Sequence, residues 1–320
     1  MVMKAIGLTD FGGPEVLHAI DLPAPEPCAG EVRIRTHAVT VNPTDIGFRA
    51  GRRAAELAER TPPYIPGVDA AGVVDKLGPG PVGRLSVGDR VIAAVVPMGV
   101  HGGSYAEQFV VDQRSVVPAP KGSTHAEAST LLLNALTADL ALEALHLSVR
   151  QTVAVTGAAG ALGGYTVQLA KARDLTVIAV ASSADGDLVR SLGADHVVDR
   201  GEEWIAGVRA LVPNGVPGLV DAANLDDEAV PAVADGGALA TVRGWNGPVG
   251  RGITVHPIVA WEAFTDTGAL DRLRALVEDG TLTLRVAEIL RADRAAEAHR
   301  RLADGGIRGR LVLDFATSLS

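Results

Sequence analysis

Residues 152–164, Thr-Val-Ala-Val-Thr-Gly-Ala-Ala-Gly-Ala-Leu-Gly-Gly, constrain the fold more than any other stretch. They open with a β-branched, apolar run that stops at Gly157, the pattern of a short buried strand ended by a turn. Gly157, Gly160 and Gly163 then lead into residues 165–173, which continue at helical spacing. Strand, glycine turn and helix in this order predict the start of a dinucleotide-binding unit. A pyrophosphate needs backbone N–H groups aimed at it and the positive end of a helix dipole. A side chain at Gly160 would hold the phosphate away, and one at Gly163 would hold the helix off the strand. A second strand at residues 176–181 ends about 20 residues beyond the turn, where the residue that reads the ribose belongs. A further αβ unit follows at residues 192–198. The middle of the chain is therefore predicted to be a doubly wound, parallel α/β sheet.

At 320 residues the chain is long enough for two domains. Hydrophobic residues reach 47% but aromatics only 3%, so the core must be aliphatic and alanine-rich. A net charge of −9 argues against nucleic acid or an anionic membrane as the main partner. The single cysteine, Cys28, excludes an internal disulfide framework and a cysteine-rich metal site. No stretch has the length and apolarity of a membrane span. The N-terminus runs straight into strand-like sequence without a signal peptide's layout. A soluble, cytoplasmic protein is expected.

Residues 1–122 differ from the middle. Short β-type runs recur between glycines and prolines, at residues 31–36, 71–74 and 89–95, and suggest a small β-barrel or sandwich. Between them stand Val41-Asn42-Pro43-Thr44-Asp45, Phe48-Arg49-Ala50-Gly51, Pro63-Tyr64-Ile65-Pro66-Gly67-Val68-Asp69 and Val87-Gly88-Asp89-Arg90-Val91. Gly102-Gly103-Ser104-Tyr105-Ala106-Glu107 and Leu136-Thr137-Ala138 follow, and the tail carries Ala295-Ala296-Glu297-Ala298-His299 and Gly309-Arg310-Leu311-Val312-Leu313. In this order, with the glycine turn after Thr137, these motifs resemble the zinc-independent quinone oxidoreductase branch of the medium-chain dehydrogenase/reductase superfamily. The resemblance covers nearly the whole chain. It implies a GroES-like β-barrel domain from residues 1–122 and 283–320 and a Rossmann domain from residues 123–282, with chemistry in the cleft between them.

Zinc-dependent relatives carry a ligand cysteine, a His-Glu pair and a four-cysteine lobe. Here Thr44 stands about where the cysteine is expected, Val68 and Asp69 about where the His-Glu pair is, and the lobe is missing. The eight histidines are scattered singly, with none paired at i, i+4. Zinc needs about four N, S or O ligands in tetrahedral array, so no catalytic zinc is expected.

The cofactor reading turns on the end of the second strand. NAD sites place Asp or Glu there. This chain has Ser182 and Ser183, whose small hydroxyls leave room for a 2′-phosphate. The other reading of Ser182 is a helix cap. Arg200, just after the third strand, suits a phosphate, whereas Asp185 opposes one. NADPH is expected, with NADH as the alternative. Gly157, Gly160, Ala161, Leu162 and Gly163 are expected to cradle the pyrophosphate. Thr137 resembles the family threonine near the nicotinamide. Asn42 and Asp45 match family positions beside it, or else serve the turn at Pro43. Asn224, Val242, Arg243 and Gly244 lie on loops at carboxyl ends of strands, the expected ligand rim.

The family chemistry is hydride transfer to a quinone or to the β-carbon of an α,β-unsaturated carbonyl, and the residues do not separate these two substrates. Tyr64 and His101 are the candidate proton donors, against a packing role for the first and a surface role for the second. Trp245 and Trp261 would either stack on a flat substrate or pack a dimer. A nucleotide-binding protein without turnover, like the crystallins related to this family, is a third reading, disfavoured by the acidic charge. The strand near residues 252–255 is expected at an exposed sheet edge, which predicts a homodimer.

Overall fold

The computed structural model describes residues 2–80 and 83–317. The chain divides into two compact units: residues 1–133, 261–278 and 284–320, and residues 134–260 with 279–283.

The second unit is built on six strands: β1 (Thr152–Thr156), β2 (Thr176–Ala181), β3 (His196–Asp199), β4 (Val216–Asp221), β5 (Val233–Thr241) and β6 (Thr254–Pro257). Their spatial order is β3-β2-β1-β4-β5-β6, and every pair is parallel. This is a Rossmann-type sheet. The order reverses between β1 and β4, which is where ligands bind in such sheets. Parallel strands covered on both faces need continuous apolar runs, and Val153, Ala154, Val155, Val177, Ile178 and Ala179 are completely buried. Helices α1 (Ala161–Ala172), α2 (Gly186–Ser191) and α3 (Trp204–Leu211) provide crossovers. Trp204 closes a core with Ile178, Val198, Leu219 and Leu239, and Trp245 packs half-buried against it.

The first unit is a GroES-like β domain. Its long strand Glu31–Thr40 pairs antiparallel with Asp69–Leu77 along one edge. Along the other edge it pairs first with Gln108–Asp112 and then with Arg310–Asp314. The C-terminal strand thus returns to the N-terminal unit, as the tail motifs imply. Arg90–Ala94, Val116–Pro118 and Val286–Arg291 complete a seven-stranded sheet. Val2–Gly7 and His18–Pro23 form a separate antiparallel pair. The helix Thr267–Glu278 packs on the strand Val116–Pro118, and the Thr267 hydroxyl donates to the Arg114 carbonyl at 2.7 Å. Its spacing marks an apolar face but carries nothing about which sheet that face meets.

Candidate functional site

The glycine turn sits at the carboxyl end of β1. Gly157 adopts φ +58°, the left-handed region that L side chains rarely enter. A Cβ there would also lie 3.2 Å from the backbone of Ala222, in the loop after β4. The Ala158 N–H donates to the Val180 carbonyl of β2 (3.2 Å) and the Gly160 N–H to the Gly157 carbonyl (2.9 Å), which folds the turn back onto the sheet. Gly160 is the N-cap of α1. A Cβ on Gly163 would fall 2.3 Å from the Gly157 carbonyl oxygen and 2.7 Å from Ala158 Cα, so helix and strand can touch only through a glycine. A Cβ on Gly160 would meet only the Gly157 oxygen, at 3.1 Å, and would otherwise point into open space. The first-turn amides of Ala161, Leu162 and Gly163 have no acceptor within the helix. They stand at the positive end of its dipole. This is a cradle of the shape and polarity a pyrophosphate needs.

Around the turn lie the other strand ends. Ser182 follows β2, and its hydroxyl donates to Asp185 at 2.5 Å. Ser183 is exposed. Asp199 pairs with Ala181, and the Arg200 N–H donates to the Ala181 carbonyl at 3.0 Å, so Arg200 stands beside Ser182. Asp221, completely buried at the end of β4, accepts from Thr156 Oγ1 (2.6 Å) and from the amides of Ala223 (3.2 Å) and Asp226 (2.8 Å). That carboxylate holds the loop in which Asn224 takes φ +57° and leaves its side-chain oxygen buried without a hydrogen-bond partner. Past β5, Thr241 Oγ1 donates to the Trp245 carbonyl at 2.6 Å, shaping the turn of Val242, Arg243 and Gly244. Thr137 is buried in the helix Leu132–Ala144.

In the first unit, Asn42 and Asp45 are buried at the start of the helix Pro43–Arg49 and form its capping box. Asp45 accepts from the amides of Asn42 (2.8 Å) and Gly67 (3.0 Å). The Asn42 amide donates to Asp69 Oδ2 (3.2 Å), and the Leu133 N–H donates to Asp69 Oδ1 (2.8 Å). Burial raises both carboxyls to about 7, against the amides that hold their charged forms. A carboxyl raised in the folded state contributes stability below its unfolded value of 3.8, and that contribution is lost as pH rises through about 7. Asn at this position does not titrate, so the deficit of Asp69→Asn in urea unfolding free energy should be largest below pH 3.8, shrink as pH rises toward about 7 and be smallest above it.

Tyr64 stacks on Phe11 (5.3 Å, 3°), and its hydroxyl donates to the Arg60 carbonyl at 3.0 Å. His101 is half-buried with Nε2 at 3.2 Å and 3.3 Å from the Glu31 carboxylate. Each of these two side chains thus has its own partner. The Arg53 guanidinium lies 4.2 Å over the Trp261 ring.

One buried cluster has no counterpart among the residues singled out from sequence. His299 is completely buried, with Nε2 at 3.2 Å from the Tyr105 hydroxyl and Nδ1 accepting from Arg49 Nε at 3.3 Å. Arginine only donates, so Nδ1 is the acceptor and Nε2 carries the proton toward Tyr105. Burial, and then the Arg49 charge, push the imidazole down to about 3. The three members of the cluster stand in three of the quoted motifs, but those motifs lie far apart along the chain.

Two family descriptions match the chain: "Alcohol dehydrogenase GroES-like domain" over residues 28–121 and "Zinc-binding dehydrogenase" over residues 192–313. The chain is 31% identical over 245 residues to a chloroplast envelope quinone oxidoreductase homolog of Arabidopsis thaliana, covering 71% of this chain and 73% of that one. The chain belongs to the medium-chain dehydrogenase/reductase superfamily, in its quinone oxidoreductase group. It is also 34% identical over 255 residues to the NADPH-dependent alkenal/one oxidoreductase of the same plant, a match spanning 78% of this chain but only 64% of the relative. The structure of the quinone oxidoreductase from Coxiella burnetii superposes with a TM-score of 0.88 at 26% identity, covering 98% of this chain and 99% of that one.

One of the matching descriptions includes zinc. Val68 is apolar and buried, and both Asp69 oxygens accept amide N–H groups. Among the described residues no group of three or more His, Cys, Asp or Glu side chains could hold a metal ion.

Proposed function

We propose that the chain is an NADPH-dependent oxidoreductase that passes a hydride to a quinone without zinc. The observation that carries the reading is the turn at Gly157–Gly160–Gly163, where a close helix–strand contact and an open-facing glycine coincide at the switch point of the sheet. The relative named as NADPH-dependent supports the cofactor. When bound, NADPH supplies the hydride.

In this reading the amides of Ala161, Leu162 and Gly163 hold the pyrophosphate at the end of α1, and Gly160 leaves room for it. Arg200 takes the 2′-phosphate end, beside the Ser182 and Ser183 positions that follow β2. Asn224, whose buried side-chain oxygen lacks a partner, together with Val242, Arg243 and Gly244 lines the rim beyond. Thr137 orients the nicotinamide, and within the first unit Asp45 holds Asn42 through its backbone amide. A quinone takes one hydride and one proton to become a hydroquinone. The Tyr64 hydroxyl is committed to the Arg60 carbonyl and His101 Nε2 to the Glu31 carboxylate, so the proton comes from water.

The name of the alkenal/one relative favours a second reading, in which the hydride goes to the β-carbon of an enone and the proton to its α-carbon. Offering quinones and enones side by side and following loss of the reduced nicotinamide absorbance separates them. Turnover with quinones supports the first reading, turnover with enones alone moves the protein to the second, and cofactor binding without turnover would overturn both.

The proposal extends to a cytoplasmic homodimer. No helix among the described residues is long and apolar enough to cross a membrane. Strand β6 ends the sheet and pairs only with β5. Light scattering should give twice the chain mass, and a monomer would overturn the dimer.

A further inference from the structure

The adenosine-ribose end of the nucleotide unit has an arrangement that the comparisons do not assign. Ser182 caps the turn Ser183–Asp185 that follows β2, and the Asp185 amide donates to the Ser182 carbonyl at 2.9 Å. In return the Ser182 hydroxyl donates to Asp185 Oδ2 at 2.5 Å, and Asp185 is only 8% exposed. A serine hydroxyl has one hydrogen and two lone pairs. With the hydrogen given to Asp185, Ser182 offers only lone pairs outward. Lone pairs accept from a ribose 2′-hydroxyl, and they repel a 2′-phosphate. The Asp185 charge, one hydrogen bond behind, adds to that repulsion.

On the other side of Ser182 stands Arg200, at the end of β3. It is exposed, and its side chain makes no hydrogen bond or ion pair among the described residues. A guanidinium suits a phosphate and has little to do beside a neutral 2′-hydroxyl. The two adjacent strand ends therefore carry opposite preferences.

We infer that Asp185 is a positioning residue for cofactor choice: by holding the Ser182 hydroxyl it makes Ser182 an acceptor for the 2′-hydroxyl of NADH, while Arg200 alone recognises the 2′-phosphate of NADPH. The native protein accordingly binds both nucleotides with a modest preference. Asp185 acts through Ser182 and touches neither ribose nor phosphate. The inference rests on the glycine turn being the nucleotide site.

The test is the dissociation constant of NADPH and of NADH, measured by calorimetry on the full chain without acceptor, for the native protein and three variants. Asp185→Asn removes the charge and replaces one carboxylate oxygen by an NH2 donor, which weakens the hold on the Ser182 hydrogen; it should raise the preference for NADPH over NADH about tenfold. Ser182→Ala, which disturbs the fold less than a change at buried Asp185, should weaken NADH about threefold and leave NADPH as it was. Arg200→Gln should weaken NADPH at least tenfold, leave NADH within about twofold, and flatten the salt dependence of NADPH binding. An unchanged ratio in folded Asp185→Asn, or a loss in Ser182→Ala that falls on NADPH rather than NADH, overturns the inference while leaving the nucleotide site intact. Failure of the native protein to bind either nucleotide overturns the reading of the turn itself.

Discussion

Replacing Gly163 with alanine should abolish NADPH binding and loosen the nucleotide unit, whereas Gly160→Ala should abolish binding alone. The two glycines are one helical turn apart, yet their surroundings differ. At Gly163 the added methyl would sit 2.3 Å from a carbonyl oxygen and 2.7 Å from a Cα, both backbone atoms that cannot rotate away. Helix α1 must shift off β1. Overpacking of that kind costs roughly 1–3 kcal/mol, and the shift carries the amides of Ala161 and Leu162 away from where a pyrophosphate would lie. At Gly160 the backbone has φ −69° and ψ 176°, which alanine adopts freely. Its methyl meets a single protein atom at 3.1 Å. The fold should lose less than about 1 kcal/mol, while the methyl occupies the approach to the first-turn amides. Thermal melts and calorimetry on the two variants read these effects separately: a lower melting temperature with no binding for Gly163→Ala, and a native one with at least a hundredfold weaker binding for Gly160→Ala. Native affinity in Gly160→Ala would remove the cradle from the site.

His299→Gln should lower stability at neutral pH by roughly 2–4 kcal/mol, because Arg49 Nε and the Tyr105 hydroxyl lose a well-placed buried partner. It should also flatten the acid limb of the stability profile. The imidazole is pushed from 6.5 down to about 3 in the folded protein, mainly by burial. Between those values the unfolded chain binds a proton that the folded chain refuses. Stability from this group is therefore full above pH 6.5 and falls as the pH drops toward 3, by on the order of 3–5 kcal/mol in total. Asp45 and Asp69 slope the other way, losing stability as pH rises through about 7. They titrate in parent and variant alike, so the difference between the two profiles isolates the His299 limb. A difference that stays constant from pH 7 to 4 would show that the histidine is not held neutral.

How much of this was legible beforehand depends on the range of the interaction. The β1–turn–α1 unit is carried by thirteen consecutive residues, and its strand, its left-handed Gly157 and its tight Gly163 all follow from steric rules that act within that window. Strands β2 and β4 of the central sheet read as apolar runs because parallel strands buried on both faces have no polar side to show. Asn42 and Asp45 were visible as a pair, and the capping box is a four-residue pattern. The coupling of Asn42 to Asp69 spans 27 residues and was not visible.

The amino-acid order by itself determined the Rossmann unit and the glycine turn, because each is written in a short-range pattern of size, branching and backbone freedom, whereas the GroES-like unit was implied by the resemblance of its ordered motifs. Only the tertiary structure decided that the helix Thr267–Glu278 serves the first unit, that Trp245 packs against the central core, that Ser182 gives its hydrogen to Asp185, and that His299 lies between Arg49 and Tyr105. Those two partners are 250 and 194 residues away along the chain. A lone buried histidine leaves no periodic trace, and the partner that sets its tautomer and its charge is chosen by packing in three dimensions.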